Sequence, residues 1–264
     1  MLRALRQLTR IDATKRARDH AAWMGETLRA ASGSDFLCLG LFADGRSIHD
    51  AQLALCDELV EGLPAGDWLD VGSGLGGPAH YWLSEPKRRI TAFEIVDGRR
   101  DRTPPHERLT VRGGDLDRMP FDGDFDAVIA LESAHYARDL GQFVRQCWRA
   151  LRPGGQLRAA VVLRQTEQLR LYDQGVLRAA EQGMGCPPLQ TLGAWEHHLE
   201  AGFEDVHVDN RTADVIGGLA AWGDAFSGVD GLPGGLGARG MRYLARRGVS
   251  GPLRYALVRA TRPG

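Results

Sequence analysis

DWLDVGSGLGGPAHYWL, residues Asp67–Leu83, is the stretch on which the fold of this chain turns. Trp68, Leu69 and Val71 make a short apolar run that predicts a buried strand, with one acid, Asp70, near its end. Gly72, Gly74, Gly76 and Gly77 follow, and Pro78 stands where a first helical turn tolerates a missing N–H. Strand, glycine turn and helix together bring bare backbone N–H groups to a ligand at a helix N-terminus. Gly72, Gly74 and Gly77 also satisfy the dinucleotide pattern G-x-G-x-x-G. A plain tight turn would ask for glycine too. The stretch alone leaves these readings open, and the rest of the chain decides among them.

Length and composition set the bounds. A chain of 264 residues holds one large α/β domain with additions, or two small ones. With 43% hydrophobic and 25% charged residues, the composition is that of an ordinary globular protein. The net charge of −1 gives no basic surface for nucleic acid, so no nucleic-acid partner is expected. Cys38, Cys56, Cys147 and Cys186 are far apart and form no C-x-x-C pair. They predict free thiols in a reducing, cytoplasmic setting, with neither a zinc site nor a disulfide framework. No apolar run reaches the length of a membrane span, and the N-terminus lacks the apolar core of a secretory signal. There are only two lysines, Lys15 and Lys87, among 33 basic residues, a bias associated with GC-rich bacterial genomes.

Outward from the opening stretch, apolar and polar segments alternate in the manner of an α/β protein. Residues 1–31 are basic with helical spacing, and are read either as a packed helix or as a mobile lid. Helical spacing returns over His49–Leu63. Strands are predicted at Arg89–Glu94, Leu109–Arg112, Phe125–Leu131, Gln156–Leu163, Phe203–Asp209 and Leu253–Ala260. Pro104 and Pro105 forbid a long crossover helix after the second of these strands. Gly141–Leu151 is the clearest amphipathic helix, with Phe143, Val144, Cys147, Trp148 and Leu151 on one face. Helices are expected at Thr166–Gln182, Leu192–Ala201, Asp214–Phe226 and Ala238–Arg246, and a surface loop over Gly228–Gly237.

Ligands of open α/β sheets bind beyond the carboxyl ends of the strands. Asp70, Glu94 and Asp115 stand at such ends. Glu94 can accept both hydroxyls of a ribose, and Asp115 can accept from an adenine amine. Asp70 can orient the glycine loop or meet a cationic group. Each has a plain alternative as a surface acid at a helix N-terminus. In this order after a glycine loop, they favour an adenosyl ligand.

Here the chain resembles a class I S-adenosylmethionine-dependent methyltransferase, over roughly residues 36–165. Leu69–Pro78 is similar to that family's first motif and Glu94 to its ribose-binding acid. Gly114-Asp115-Leu116 with Met119-Pro120-Phe121 is similar to its adenine motif. Phe125–Val128 and Leu151–Gly155 are similar to two later motifs, which a nicotinamide dehydrogenase is not expected to carry. The resemblance implies an α/β, doubly wound, seven-stranded, mostly parallel sheet of order 3-2-1-4-5-7-6 with an antiparallel last strand. It implies S-adenosylmethionine as cofactor, held by Asp70, Gly72, Ser73, Gly74, Gly76, Glu94, Ile95, Asp115, Leu116 and Leu131. It also implies a helical cap over residues 1–48, the catalytic domain over 49–264, and an acceptor-covering insertion over about 164–201.

A narrower likeness concerns the acceptor. Leu131-Glu132-Ser133-Ala134-His135 resembles a segment of small-molecule methyltransferases acting on sugars, isoprenoids, tocopherols and sterols. Cys38–Phe42 resembles the stretch before their first motif, with Leu41 in place of its tyrosine. These likenesses imply a small, largely apolar metabolite as acceptor, of natural-product type. The sulfonium is the electrophile, so the protein's part is alignment and proton removal. His135 and Glu132 are the candidate bases, with a satisfied histidine and a loop-holding acid as the alternatives. Glu132 is also placed to stabilise a cation. Phe42, Tyr136 and Trp195 are the candidate acceptor-lining residues. No metal is expected, and the chain is expected to be a monomer or homodimer. A second reading keeps the fold and the cofactor but catalyses a rearrangement or cyclisation without methyl transfer.

Overall fold

A computed structural model describes residues 22–264 apart from 24, 43–44 and 230–231. The helical reading of residues 1–21 lies outside these. Residues 25–32 are helical (α1), followed by α2 (Ile48–Val60), β1 (Asp67–Val71), α3 (Gly77–Trp82), β2 (Arg89–Glu94), α4 (Asp97–Arg100), β3 (Leu109–Gly113) and β4 (Phe125–Leu131). Then come α5 (Leu140–Ala150), β5 (Leu151–Arg164), α6 (Leu171–Met184), α7 (Leu192–Glu200) and β6 (Glu204–Asn210). The chain closes with α8 (Thr212–Ile216), α9 (Leu219–Ser227), α10 (Leu232–Arg247) and β7 (Leu253–Thr261).

The seven strands form one sheet of order β3-β2-β1-β4-β5-β7-β6. The pairings from β3 through β5 are parallel, and β7 runs antiparallel to both β5 and β6. Two cores flank the sheet, because alternate residues of each strand point to opposite faces. Trp68, Ile90, Ile129, Ala160 and Tyr255 pack on one face with Leu55 and Leu59 of α2 and Trp82 of α3. Leu69, Phe93, Val128, Leu157 and Val258 pack on the other with Phe143 and Cys147 of α5 and Trp195 of α7. The glycine turn, Glu94 and Glu132 therefore share the carboxyl edge of β1, β2 and β4. No helix among the described residues is long and apolar enough to cross a membrane.

Several segment readings are corrected. Residues 232–237, read as loop for their glycines, open the 16-residue helix α10. The helix expected over Asp214–Phe226 is two helices, α8 and α9, parted at Gly217 and Gly218. The helix expected from Thr166 begins at Leu171. Leu151–Gly155 does not simply precede β5. It belongs to it as an irregularity, since Phe125 pairs with Leu151 and Ala127 with Gln156. Trp148 lies on the exposed side of α5, with the Arg262 guanidinium 3.8 Å above its ring. The proline-limited crossover is the four-residue helix α4.

Candidate active site

Gly72, Gly74 and Gly76 have φ of +72°, +61° and +82°, a conformation that L side chains rarely adopt. A Cβ on Gly72 would stand 2.4 Å from Cβ of Ser133, and one on Gly76 would stand 2.6 Å from Cγ2 of Thr103. The loop is fastened by Glu94. Its Oε2 accepts from the Gly74 N–H at 2.9 Å and its Oε1 from the Val96 N–H at 2.9 Å, with Arg99 3.5 Å away. The side chain of Glu94 is buried, and half-buried Ile95 follows it at the strand end.

Asp70 and Ser73 complete the cradle. Oδ2 of Asp70 and Oγ of Ser73 are buried and have no hydrogen-bond partner among the described residues. Burial, and then the charge of Glu94, push the Asp70 carboxyl up to about 7. Orphaned polar atoms beside side-chain-free backbone form a surface that asks for a polar ligand. An adenosyl-methionine group fits that demand. Asp115 sits on the loop after β3. Its Oδ1 accepts from the Asp117 N–H at 3.0 Å and its Oδ2 from Arg138 at 2.6 Å. Leu116 packs on the second core, and Leu131 ends β4 among the residues of the first.

Glu132 follows directly. It is a non-glycine residue at φ +49°, and strain of that kind, about 1–3 kcal/mol, persists only where the surroundings over-determine it. Here its N–H donates to the Ala160 carbonyl at 2.9 Å. Its Oε1 accepts twice, from the Leu39 N–H at 2.9 Å and from the Tyr255 hydroxyl at 2.6 Å. Oε2 carries no hydrogen bond among the described residues. Burial pushes the carboxyl up to about 7, against the two hydrogen bonds, which favour its charged form. Ser133 donates from Oγ to the Val71 carbonyl and so ties this turn to the glycine loop.

His135 lies on the 3-10 turn Ala134–Tyr136. It lines a small cavity with Val161, Val162, Leu189 and Trp195, and its Nδ1 is buried without a partner among the described residues. Burial pushes the imidazole down to about 4, so it is neutral at physiological pH and a weak base there. The Tyr136 ring lies 4.4 Å from that of His135. Trp195 joins His135 at the cavity, but its bulk is core, against Phe143. Phe42 packs away from His135, against Gly218 and the cluster of Trp222 and Phe226. No group of His, Cys, Asp and Glu among the described residues is arranged to hold a metal.

Sequence reasoning missed Tyr255, Trp222 and Arg138. Trp222 donates to the Leu39 carbonyl at 2.8 Å, so the Leu39 peptide is gripped at both ends. Arg138 bonds both Asp115 and Asp117, joining the adenine-type loop to the turn that carries His135. Each meets its partner across 20 or more residues, with no local signal.

Comparison with known proteins agrees with this geometry. The methyltransferase domain family matches residues 69–159. Erythromycin 3''-O-methyltransferase of Saccharopolyspora erythraea is 30% identical over 234 residues, covering 79% of this chain and 74% of that enzyme. This chain belongs to the small-molecule S-adenosylmethionine-dependent methyltransferase family. The 27-O-demethylrifamycin SV methyltransferase of Amycolatopsis mediterranei is 31% identical over 173 residues, 61% of this methyltransferase and 63% of its own length. Among solved structures, the [4+2]-cyclase SpnF superposes with a TM-score of 0.74 at 20% identity, over 90% of this chain and 92% of its own. That likeness concerns the fold. The cofactor of this methyltransferase is S-adenosylmethionine, and the glycine cradle with its two orphaned polar atoms fits it.

Proposed function

We propose that this methyltransferase moves a methyl group from S-adenosylmethionine to a hydroxyl of a small, largely apolar natural product, with Glu132 taking the proton. The cofactor supplies the electrophilic methyl group. Asp70, Gly72, Ser73, Gly74 and Gly76 hold its methionine end, Glu94 and Ile95 its ribose, and Asp115, Leu116 and Leu131 its adenine side. The observation that carries the reading is the Glu132 carboxylate. One oxygen is anchored by two donors while the other is free, and its pKa is near the operating pH, where a general base works best. His135 is the alternative base, on the cavity it shares with Trp195. Tyr136 completes the acceptor side. The oxygen acceptor is supported by two relatives whose names specify O-methyl positions.

Calorimetry with S-adenosylmethionine and S-adenosylhomocysteine tests the cofactor assignment, and absence of binding to both would overturn it. Turnover is then followed with 27-O-demethylrifamycin SV and related hydroxylated scaffolds. Glu132→Gln is expected to lose 10²-fold or more in kcat, within the usual worth of a positioned base. Native turnover by Glu132→Gln, with loss in His135→Ala, would move the role to His135.

A second reading is favoured by the fold of SpnF, a cyclase. In it the cofactor is structural and the pocket catalyses a cyclisation. Methylated product with stoichiometric S-adenosylhomocysteine would dismiss it.

A further inference from the structure

Tyr255 lies on β7, two strands away from the end of β4 that carries Glu132. Its register partner on β5 is Val162, and Leu131 pairs with Ala160. Tyr255, Val162 and Ala160 belong to the same core, so the phenol crosses one face of β5 to reach the Glu132 carboxylate. Two strand spacings are about 9.6 Å, within the reach of a tyrosine leaning over an alanine. The ring is fully buried, and its hydroxyl meets Oε1 at 2.6 Å.

We propose that Tyr255 is a positioning residue for the methyl transfer: by donating to Oε1 it fixes the Glu132 carboxylate, favours its charged form, and leaves Oε2 to the acceptor. The proposal rests on Glu132 acting as the base. Both hydrogen bonds to this carboxylate fall on the same oxygen, one from a side chain and one from the Leu39 N–H. That division keeps Oε2 unengaged. A short O–H···O⁻ contact is among the stronger protein hydrogen bonds and favours the ionised acid. Without it, only the Leu39 N–H would oppose burial at the carboxyl, which already lies at about 7. The phenol itself is pushed up by burial and by Glu132, so it stays a donor across the working range. The other titratable groups near the pair are Cys38 of the segment before α2, Cys56 of α2, and Tyr136 of the turn. None of them is a cation, which leaves the Tyr255 hydroxyl as the side-chain group that favours charge on Glu132.

The test reads the Glu132 titration directly. Protein labelled with [δ-¹³C]glutamate is titrated by NMR in the presence of S-adenosylhomocysteine, with Glu132→Gln identifying the resonance. Tyr255→Phe, which keeps the ring, should move the Glu132 midpoint up by about 1 pH unit. A structural tyrosine would leave the midpoint in place, and an unchanged or lowered midpoint overturns the proposal. Should Tyr255→Phe not fold, the same titration is run on protein carrying 3-fluorotyrosine, a more acidic phenol and a stronger donor. Its midpoint must fall, and a midpoint that stays or rises overturns the proposal. The base assignment is judged separately. Native turnover of 27-O-demethylrifamycin SV by Glu132→Gln sinks that reading whatever the midpoint does, whereas an unmoved midpoint with a dead Glu132→Gln sinks only the role of Tyr255.

Discussion

Gly72→Ala is the substitution whose cost the geometry determines most directly. Two penalties add at this position. The backbone sits at φ +72°, which costs an L residue about 1–2 kcal/mol. The new Cβ would also stand 2.4 Å from Cβ of Ser133, which is held by its bond to the Val71 carbonyl. Overpacking of that kind costs about 1–3 kcal/mol. The sum is about 2–5 kcal/mol, or roughly 4–20 °C in Tm for a domain of this size. Gly62 supplies the control. It has φ +74°, and an added Cβ there would meet nothing within 4 Å, so Gly62→Ala carries the backbone penalty alone. Both variants are measured by urea denaturation, and Gly72→Ala also by calorimetric titration with S-adenosylhomocysteine. The difference between the two costs isolates the clash. Equal costs would refute the crowding, and native cofactor affinity in Gly72→Ala would refute the assignment of this turn as the cofactor cradle.

Other expectations follow from the same contacts. The Asp70 carboxyl is raised to about 7 in the fold, from an unfolded value near 3.8. The native state therefore holds the extra proton between these pH values, and stability from this group is full below about 4 and lost as pH rises through about 7. Asp70→Asn should accordingly gain stability over the parent at pH 8, with the gain vanishing by pH 4, as read from denaturation midpoints across that range. His135 acts in the opposite sense. Its imidazole is lowered to about 4 from 6.5, so acidification through that window costs stability that His135→Phe should keep. Arg138→Gln frees Asp115 and Asp117, and should weaken S-adenosylhomocysteine binding roughly tenfold by calorimetry, about the worth of one charge-assisted bond. Trp222→Phe deletes the bond to the Leu39 carbonyl and part of a fully buried ring system, and should cost more in denaturant unfolding than the about 0.5–1.5 kcal/mol of the hydrogen bond alone.

Much of the fold was legible because its signals are local. Arg89–Glu94 and Phe125–Leu131 are strands at the expected residues, since each is a short apolar run bounded by turn residues. The errors were local too. Glycines at 234, 235 and 237 argued for a loop, yet α10 runs through them and packs on α9, so tertiary contact outweighed propensity. Trp148 fitted an apolar stripe but found a cation instead of a core.

The sequence by itself determined the order of the sheet's parts, the glycine cradle and the acids that stand at strand ends. Those features depend on residues close together in the chain, where spacing and backbone preference act directly. Only the tertiary structure decided how Glu132 is held. Its partners come from Leu39 and from Tyr255, 93 residues before it and 123 after. No periodicity spans such a separation. A carboxylate's chemistry depends on which donors reach which oxygen, and here that is settled by β7 inserting antiparallel beside β5.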